Sequence, residues 1–419
     1  MSQTRPLPPF FEVFRHRNYV LFMVGLGPHA ISSWMQRVGV GWLAWELTHS
    51  PTWLGLIAAA DLVPLLFLSP IAGALTDRIV PVKELRITQW LQFVQAAALA
   101  ALMVAGKVTI EVLFLLTLAV GCVHAFSTAA RHATVPHTVP RNLVATAVSL
   151  DSALFQASRF IGPALAAFFI DIYGVAALLI AHAIGTFCFS VMMHFMHVPP
   201  PERAKGHRNM IADIKESLHY VRDFHAMGIL FLMCLVASVS LRPLQDMMPG
   251  FAGAVFSSGP KGLAWLTSAM GVGAMISATW IGVHGRVQGL TTMCYAGLGL
   301  LALATLGLVA TRNLWVGVVF AAISGYALNT LTTGTQALVQ SAVEDSMRAR
   351  VMSLYTVIFR GTPAIGAFGL GLLAEFIGLR ATFAIAAAIC AAATLWLLPK
   401  RRFVRAEMEK ERIHSTLAH

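Results

Sequence analysis

Long apolar stretches recur along nearly the whole chain, and their length limits the possible folds more than any other feature. A helix needs about 20 consecutive apolar residues to cross the hydrocarbon core of a bilayer. The stretches are continuous and lack the two-residue alternation of a membrane β-strand, so they predict helices. Twelve candidate spans lie at residues 19–46, 53–75, 86–105, 110–132, 142–170, 175–198, 225–248, 261–283, 291–310, 313–340, 349–376 and 379–398.

The proportions of apolar and charged residues also indicate a membrane protein. Of 419 residues, 57% are hydrophobic and 12% are charged, whereas soluble domains carry about 25% charged residues. We therefore predict an all-α polytopic membrane protein with twelve transmembrane helices in two pseudo-symmetric six-helix bundles. The predicted segments are an N-terminal bundle (1–198), a cytoplasmic linker with an amphipathic helix (199–224), a C-terminal bundle (225–398) and a basic cytoplasmic tail (399–419).

The positive charges are distributed unevenly between the two sides of the predicted membrane. If the N-terminus is cytoplasmic, 22 lysines and arginines fall in cytoplasmic segments and four in the opposite loops. Such an excess is typical of the cytoplasmic side. We predict a multi-pass protein of the bacterial cytoplasmic (inner) membrane with both termini in the cytoplasm. The net charge of +11 is attributed to topology and to contact with the lipid bilayer, and no nucleic-acid partner is expected.

Two stretches of 26 residues resemble each other at an offset of 204 residues. "SLDSALFQASRFIGPALAAFFIDIYG" (149–174) and "SLYTVIFRGTPAIGAFGLGLLAEFIG" (353–378) share six identities in 26 positions. Each copy is the fifth predicted span of its half. A duplicated six-span half with a binding site near the bilayer midplane is the plan of many secondary transporters.

Two further stretches carry a family resemblance. "GALTDRIVPVK" (73–83) resembles the cytoplasmic loop motif of the major facilitator superfamily, with matches at Gly73, Leu75, Asp77 and Arg78, although its tail departs from the motif. Residues 34–56 and 129–166 resemble the siderophore-exporter-like (enterobactin exporter-like) branch of that superfamily. The resemblance covers essentially the whole chain and implies a transporter that works by alternating access.

The loop motif implies a cytoplasmic gate. Asp77 follows span two and is expected close to the start of span eleven, where a carboxylate is stabilised by the helix N-terminus. Its candidate partners are Arg131 and Arg350, and such a contact would form only when the cytoplasmic mouth is shut. The alternative is a solvated loop aspartate. The predicted gate comprises Gly73, Asp77, Arg78, Arg131 and Arg350.

Gly162 and Pro163 begin the sequence "GPALAA" in span five. It resembles the G-P-x-x-G-G segment that marks exporters in this superfamily, with alanines in place of the two later glycines. Small residues permit close helix contact, and proline bends a span. The resemblance favours export over import, and the alternative is ordinary helix packing.

Charged residues inside the spans are costly unless they are paired or hydrated. Arg37 and Asp61 should lie at nearly one depth on adjacent helices and are predicted to pair. In the functional interpretation Asp61 carries a proton and releases Arg37 when protonated, whereas the alternative is a fixed structural salt bridge. Asp151 is a further candidate for proton coupling. Arg242 and Asp246, four residues apart, are also predicted to pair.

Arg159 and Arg360 lie near the middle of spans five and eleven. Two guanidinium groups favour a substrate with carboxylate, catecholate or phosphate character, and the alternative is hydrogen bonding to carbonyls at helix bends. His29 and His124, also within spans, are candidates to line the substrate path or relay protons. We predict no metal site and no cofactor.

No nucleotide-binding loop or hydrolase motif is present, so the chain is not expected to be an enzyme or to bind nucleotide. We predict a monomeric secondary active transporter whose partners are a small-molecule substrate and protons. Its expected activity is proton-coupled export of a small anionic or aromatic metabolite, siderophore-like or drug-like. The alternative is import of a small heteroaromatic nutrient such as a vitamin (riboflavin-like). A more remote alternative is a membrane sensor or scaffold without transport.

Overall fold

The computed structural model describes residues 9–76, 79–197, 219–284, 287–343 and 345–409, and all regular secondary structure in these ranges is helical. The helices of eight residues or more are α1 (Arg17–Thr48), α2 (Pro51–Thr76), α3 (Pro81–Val104), α4 (Ile110–Thr134), α5 (Val144–His194), α6 (His225–Ser240), α7 (Gly259–His284), α8 (Leu290–Ala310), α9 (Leu314–Ala342), α10 (Asp345–Thr356), α11 (Thr362–Leu397) and α12 (Arg401–Met408).

Nine helical stretches of the described residues are long and apolar enough to cross a membrane. Helix α1 is outside the nine because its middle carries polar residues such as His29, Gln36 and Arg37. The predicted class, an all-α polytopic membrane protein, is confirmed. The count of twelve spans stays a prediction, since α5 and α11 each cover two predicted spans with a glycine break between them.

Two glycines interrupt these long helices at the same position of the repeated sequence. Gly174 in α5 has φ 79° and ψ 170°, and Gly378 in α11 has φ 81° and ψ 156°. A positive φ with an extended ψ is essentially restricted to glycine, because a Cβ atom would clash with the backbone. The chain therefore turns between its predicted fifth and sixth spans, and again between its eleventh and twelfth, at a glycine with the same backbone conformation.

The contacts divide the chain into two compact units. The first holds the described residues up to 197 together with Asp246–Gly271. In it α1 packs along α5, α2 along α4, and α3 against both α4 and α5. Large side chains at its centre are fully buried: Tyr19, Phe22, Leu85, Leu113 and Phe189. The predicted domain boundaries stay a prediction, and the predicted linker helix lies mostly outside the described residues.

The second unit holds the described residues 219–245 and 272–409. Helix α8 packs against α9 and α11, and α6 packs against α11. The short helix α12 belongs to the same core, because Val404 and Met408 are 0% and 2% exposed. The Glu409 carboxylate then accepts hydrogen bonds from the backbone N–H groups of Gly289 (2.7 Å) and Thr291 (2.9 Å). It caps the N-terminus of α8, where backbone N–H groups have no partner within the helix.

We expect Glu409→Gln to lower the unfolding temperature. A glutamine amide has one oxygen to accept where the carboxylate has two, and it loses the charge that the positive end of α8 favours. The expected cost is about 1–2 kcal/mol, measurable by thermal unfolding in detergent. Glu407→Gln removes the same charge two residues earlier and leaves both hydrogen bonds of Glu409 in place. Equal losses in the two variants would show that the cap is not the cause.

Candidate functional site

Three charged or titratable side chains of the first unit meet around Arg37, which lies on α1. Its Nη1 is 3.1 Å from Asp61 Oδ2 on α2, and its Nη2 is 3.3 Å from Asp246 Oδ1. Asp61 Oδ1 lies 3.4 Å from Nδ1 of His124 on α4. Arg37, Asp61, His124 and Asp246 are called the Arg37 cluster below. The structure contains the predicted contact between Arg37 and Asp61.

Two members of the Arg37 cluster were not predicted to be there. Sequence spacing suggested Arg242 as the partner of Asp246, whereas the structure pairs Asp246 with Arg37, 209 residues away. Arg242 donates to Gln245 Oε1 at 2.7 Å. His124, a candidate for substrate contact, lies beside Asp61. Neither contact has a local sequence signal, because each joins residues that are distant along the chain.

Residues 246–255 lie close to α1 and thereby place Asp246 near Arg37. A Cβ atom built at Gly253 would be 2.1 Å from the indole nitrogen of Trp45, and one at Gly41 would be 3.4 Å from Pro249 Cγ. Only a residue without a side chain allows this approach at Gly253. The carboxylate of Asp246 is 8% exposed, whereas Asp61 is 21% and His124 is 37% exposed. The cluster thus has one buried carboxylate and one partly exposed carboxylate.

Trp34 is a residue that the sequence analysis did not single out. The guanidinium carbon of Arg37 lies 5.8 Å from its ring centroid, and that of Arg159 lies 5.9 Å from it. These distances are within the range of cation–π attraction. The ring also contacts Phe155 edge to face, with centroids 6.1 Å apart. An aromatic surface therefore connects the Arg37 cluster with Arg159.

The same surface continues to Arg131 and Asp151. The guanidinium of Arg131 lies 4.9 Å from the ring centroid of Phe155. Its Nη1 is 3.5 Å from Asp151 Oδ1, and the Asp151 side chain is 3% exposed. Asp151, a candidate for proton coupling, is therefore the carboxylate partner of Arg131, a candidate for the gate. Their pairing explains how a carboxylate on α5 is tolerated at a buried position.

The other predicted gate residues are described less completely. Asp77 and Arg78 lie outside the described residues, and so does the side chain of Arg350. A Cβ atom built at Gly73 would meet nothing within 4 Å. The gate therefore stays a prediction.

His29 is buried in a polar network between α1 and α5. Its Nδ1 lies 3.2 Å from the Thr186 hydroxyl, and its ring stacks on Phe189 with centroids 5.1 Å apart. The ring of His182 is in the same network, 3.2 Å from the Ser32 hydroxyl. These contacts satisfy polar groups inside the bundle and favour a packing role for His29 over substrate contact.

The glycine of the exporter-type motif is a point of close helix packing. A Cβ atom at Gly162 would be 2.4 Å from Trp34 Cβ and 2.9 Å from the Ile31 carbonyl oxygen. Pro163 follows inside α5 and is buried. At the equivalent position of the second repeat, a Cβ atom at Gly366 would be 2.2 Å from the Val239 carbonyl oxygen. In each unit, the predicted fifth span of a half approaches the first through this glycine.

Arg360 lies in a π-helical segment, Val357–Gly361, that joins α10 to α11. Such segments are inserted turns that recur at functional sites. Its side chain is outside the described residues, so its role in substrate binding stays a prediction. Among the described residues, no group of three or more His, Cys, Asp or Glu side chains could hold a metal ion.

Comparison with known proteins agrees with this helical architecture. The family described as "Transmembrane secretion effector" matches residues 11–417. The chain is 24% identical over 359 residues to the staphyloferrin A transporter of Staphylococcus aureus (strain NCTC 8325 / PS 47), covering 85% of this chain and 89% of that protein. It is 22% identical over 375 residues to the macrolide efflux protein A of Streptococcus pyogenes, covering 87% and 91%.

Solved structures show the same fold at low sequence identity. The nucleoside transporter NupG has a TM-score of 0.67 and 13% identity, with 94% of this chain and 99% of that chain covered. A bacterial homologue of the iron transporter ferroportin, in an inward-facing state, has a TM-score of 0.66 and 14% identity, with 95% and 99% covered. The family match spans nearly the whole chain, so this multi-pass membrane protein belongs to the transmembrane secretion effector family of the major facilitator superfamily and is a transporter, not an enzyme.

Proposed function

We propose that this transporter is a proton-coupled exporter of a small anionic or aromatic metabolite, siderophore-like or drug-like, working by alternating access. We place it as a monomer in the bacterial inner membrane with both termini in the cytoplasm. The observation that carries the proposal is the Arg37 cluster, in which one arginine is shared by two carboxylates.

The charge of the cluster supports a proton as the coupling ion. With His124 neutral, one guanidinium and two carboxylates leave a net charge of −1. One proton bound by Asp61 and His124, whose closest atoms are 3.4 Å apart, would neutralise it. Both side chains are partly exposed, so neither is sealed from a proton by the protein core.

Protonation of Asp61 would change which helices are held together by ion pairs. The ionised Asp61 joins α2 to Arg37 on α1, and a neutral Asp61 would weaken this attraction. Arg37 would keep Asp246, which lies 3.3 Å from it. A proton that binds one arrangement of α1, α2 and α4 better than the other shifts the equilibrium between two states of the transporter.

The aromatic and cationic surface beside the cluster supports the proposed substrate class. Trp34 and Phe155 offer flat rings, and Arg159 offers a planar guanidinium 5.9 Å from the Trp34 ring. Guanidinium groups match planar oxyanions with two parallel hydrogen bonds. We propose that Arg159 and Arg360 each contact an anionic group of the substrate and that an aromatic part of the substrate lies near Trp34.

The direction of transport is supported by the relatives and by one motif. The matched family is described as a secretion effector, and a relative is described as a macrolide efflux protein. Gly162 and Pro163 stand in the exporter-type segment, and the structure gives Gly162 a tight contact with α1. Metabolite profiling of cells and medium, with and without the gene, tests both direction and substrate. For an exporter, deleting the gene raises the internal level of the substrate, whereas a fall would indicate import.

We expect Arg159→Lys and Arg360→Lys to weaken binding of the substrate found by that profiling. Lysine keeps the charge but loses the planar fork, so a charge-assisted hydrogen bond worth about 1–3 kcal/mol is lost. Binding to purified protein in detergent measures the effect. Arg312→Lys, at an exposed position, is the control and should bind like the parent. Parental affinity in both test variants would remove the argument for an anionic substrate.

A further inference from the structure

An amphiphilic surface lies where α11 ends and α12 begins. Large apolar side chains are exposed there: Leu395 at 70%, Trp396 at 62%, Leu398 at 45% and Phe403 at 49%. Three exposed cations lie within the same nine residues: Lys400, Arg401 and Arg402. These seven side chains are called the C-terminal patch below.

The patch is held in place by the inner side of α12. Val404 and Met408 are buried in the core of the second unit, and Glu409 caps α8. Arg405 is occupied by Glu409, with Nε 3.3 Å from Oε2. Lys400 Nζ lies 4.7 Å from the centroid of the Trp396 ring. The cations of the patch are therefore attached to a docked helix and need little ordering before they bind a ligand.

A cavity opens within the patch. It has a volume of about 360 Å³ and is lined by Leu398, Pro399, Arg401 and Arg402. Its lining joins two guanidinium groups to two apolar side chains. The ligand that suits it has an anionic group directly attached to an apolar part.

We propose that the C-terminal patch binds an anionic phospholipid of the surrounding bilayer, with the headgroup phosphate at Arg401 and Arg402 and the acyl chains along Trp396 and Leu398. The patch ends an apolar stretch, Leu354–Met408, that is long enough to cross the membrane. Exposed tryptophan and basic residues at the end of such a stretch are typical of the membrane interface. A free phosphate would use the arginines but would leave the four exposed apolar side chains without a role.

The test uses the full chain purified in detergent. Short-chain phosphatidylglycerol, short-chain phosphatidylcholine and inorganic phosphate are titrated separately, with bound ligand read by native mass spectrometry and stability by unfolding temperature. Phosphatidylglycerol should bind the parent and raise its unfolding temperature, and the other two ligands should have little effect. The double variant Arg401→Gln with Arg402→Gln should bind phosphatidylglycerol at least about tenfold more weakly, because each basic residue near an anionic lipid is worth about 1 kcal/mol.

Two matched variants make the result specific. Arg312→Gln removes an exposed cation elsewhere in the second unit and should bind phosphatidylglycerol like the parent. The double variant Arg401→Lys with Arg402→Lys keeps the charge and should retain most of the binding. It measures the contribution of the charge if the double glutamine variant does not purify. Parental binding by the glutamine variant, or a tenfold loss in Arg312→Gln, would overturn the proposal. Equal binding of phosphatidylcholine, or an equal effect of inorganic phosphate, would also overturn it.

Discussion

Asp61→Asn is expected to abolish substrate accumulation driven by a pH gradient while leaving substrate exchange across the membrane intact. Asparagine has the size of aspartate but cannot bind and release the coupling proton. Because Arg37 keeps Asp246 at 3.3 Å, the loss of stability should be well below the roughly 3–5 kcal/mol of a broken buried pair. Transport in proteoliposomes, with and without a pH gradient, and the unfolding temperature together measure this result.

Two other variants separate coupling from a structural salt bridge. Arg37→Gln leaves both carboxylates without their shared cation, so it should cost about 3–5 kcal/mol and remove both modes of transport. Asp171→Asn is the matched control, since Asp171 forms a 3.6 Å pair with a Lys261 side chain that is 72% exposed, and exposed pairs contribute little. If Asp61→Asn loses both exchange and stability, the pair between Arg37 and Asp61 is structural.

Gly366→Ala is expected to lower the stability of the second unit strongly. The added Cβ would lie 2.2 Å from the Val239 carbonyl oxygen and 2.9 Å from its carbon. Both atoms are backbone, so α11 would have to move away from the segment that contains Val239, at a cost of about 1–3 kcal/mol or more. Gly162→Ala should destabilise the first unit in the same way and should also displace Trp34. Unfolding temperature and the monodisperse fraction in detergent measure the loss.

A glycine on the same helix provides the comparison. A Cβ atom at Gly369, three residues beyond Gly366, would meet nothing within 4 Å. Alanine is the better helix former by about 1 kcal/mol, so Gly369→Ala should be as stable as the parent or more so. Equal unfolding temperatures for Gly366→Ala and Gly369→Ala would mean that the close approach does not limit packing.

Features with a repeating or local signal were predictable from the sequence. The length of the apolar stretches predicted a helical membrane protein. The equal depth of Arg37 and Asp61 on adjacent spans predicted the contact between them. The repeated stretch led to the equivalent glycines, and the structure adds that Gly174 and Gly378 share one backbone conformation. Each of these conclusions needs only helix geometry and the thickness of a bilayer.

Contacts between distant segments were not predictable. Asp246 reaches Arg37 from 209 residues away, and spacing along one segment favoured Arg242 as its partner. Arg131 was considered as a partner of Asp77, which lies outside the described residues, and its contacts with Phe155 and Asp151 on α5 were not predicted. Trp34 contacts Arg159 and Phe155 because α1 packs on α5. Which side chains meet depends on how the helices are rotated, and hydropathy does not determine rotation.

The cap on α8 has a consequence for the order of events during synthesis. Glu409 is made 120 residues after Gly289, whose N–H it binds. At about 5–20 residues per second, translation of that interval takes roughly 6–24 s. Helix α8 must therefore enter the membrane and wait there with its first N–H groups bound to water or to lipid headgroups. Ribosomes that stop early would leave chains in which the N-terminus of α8 lacks the carboxylate that closes it.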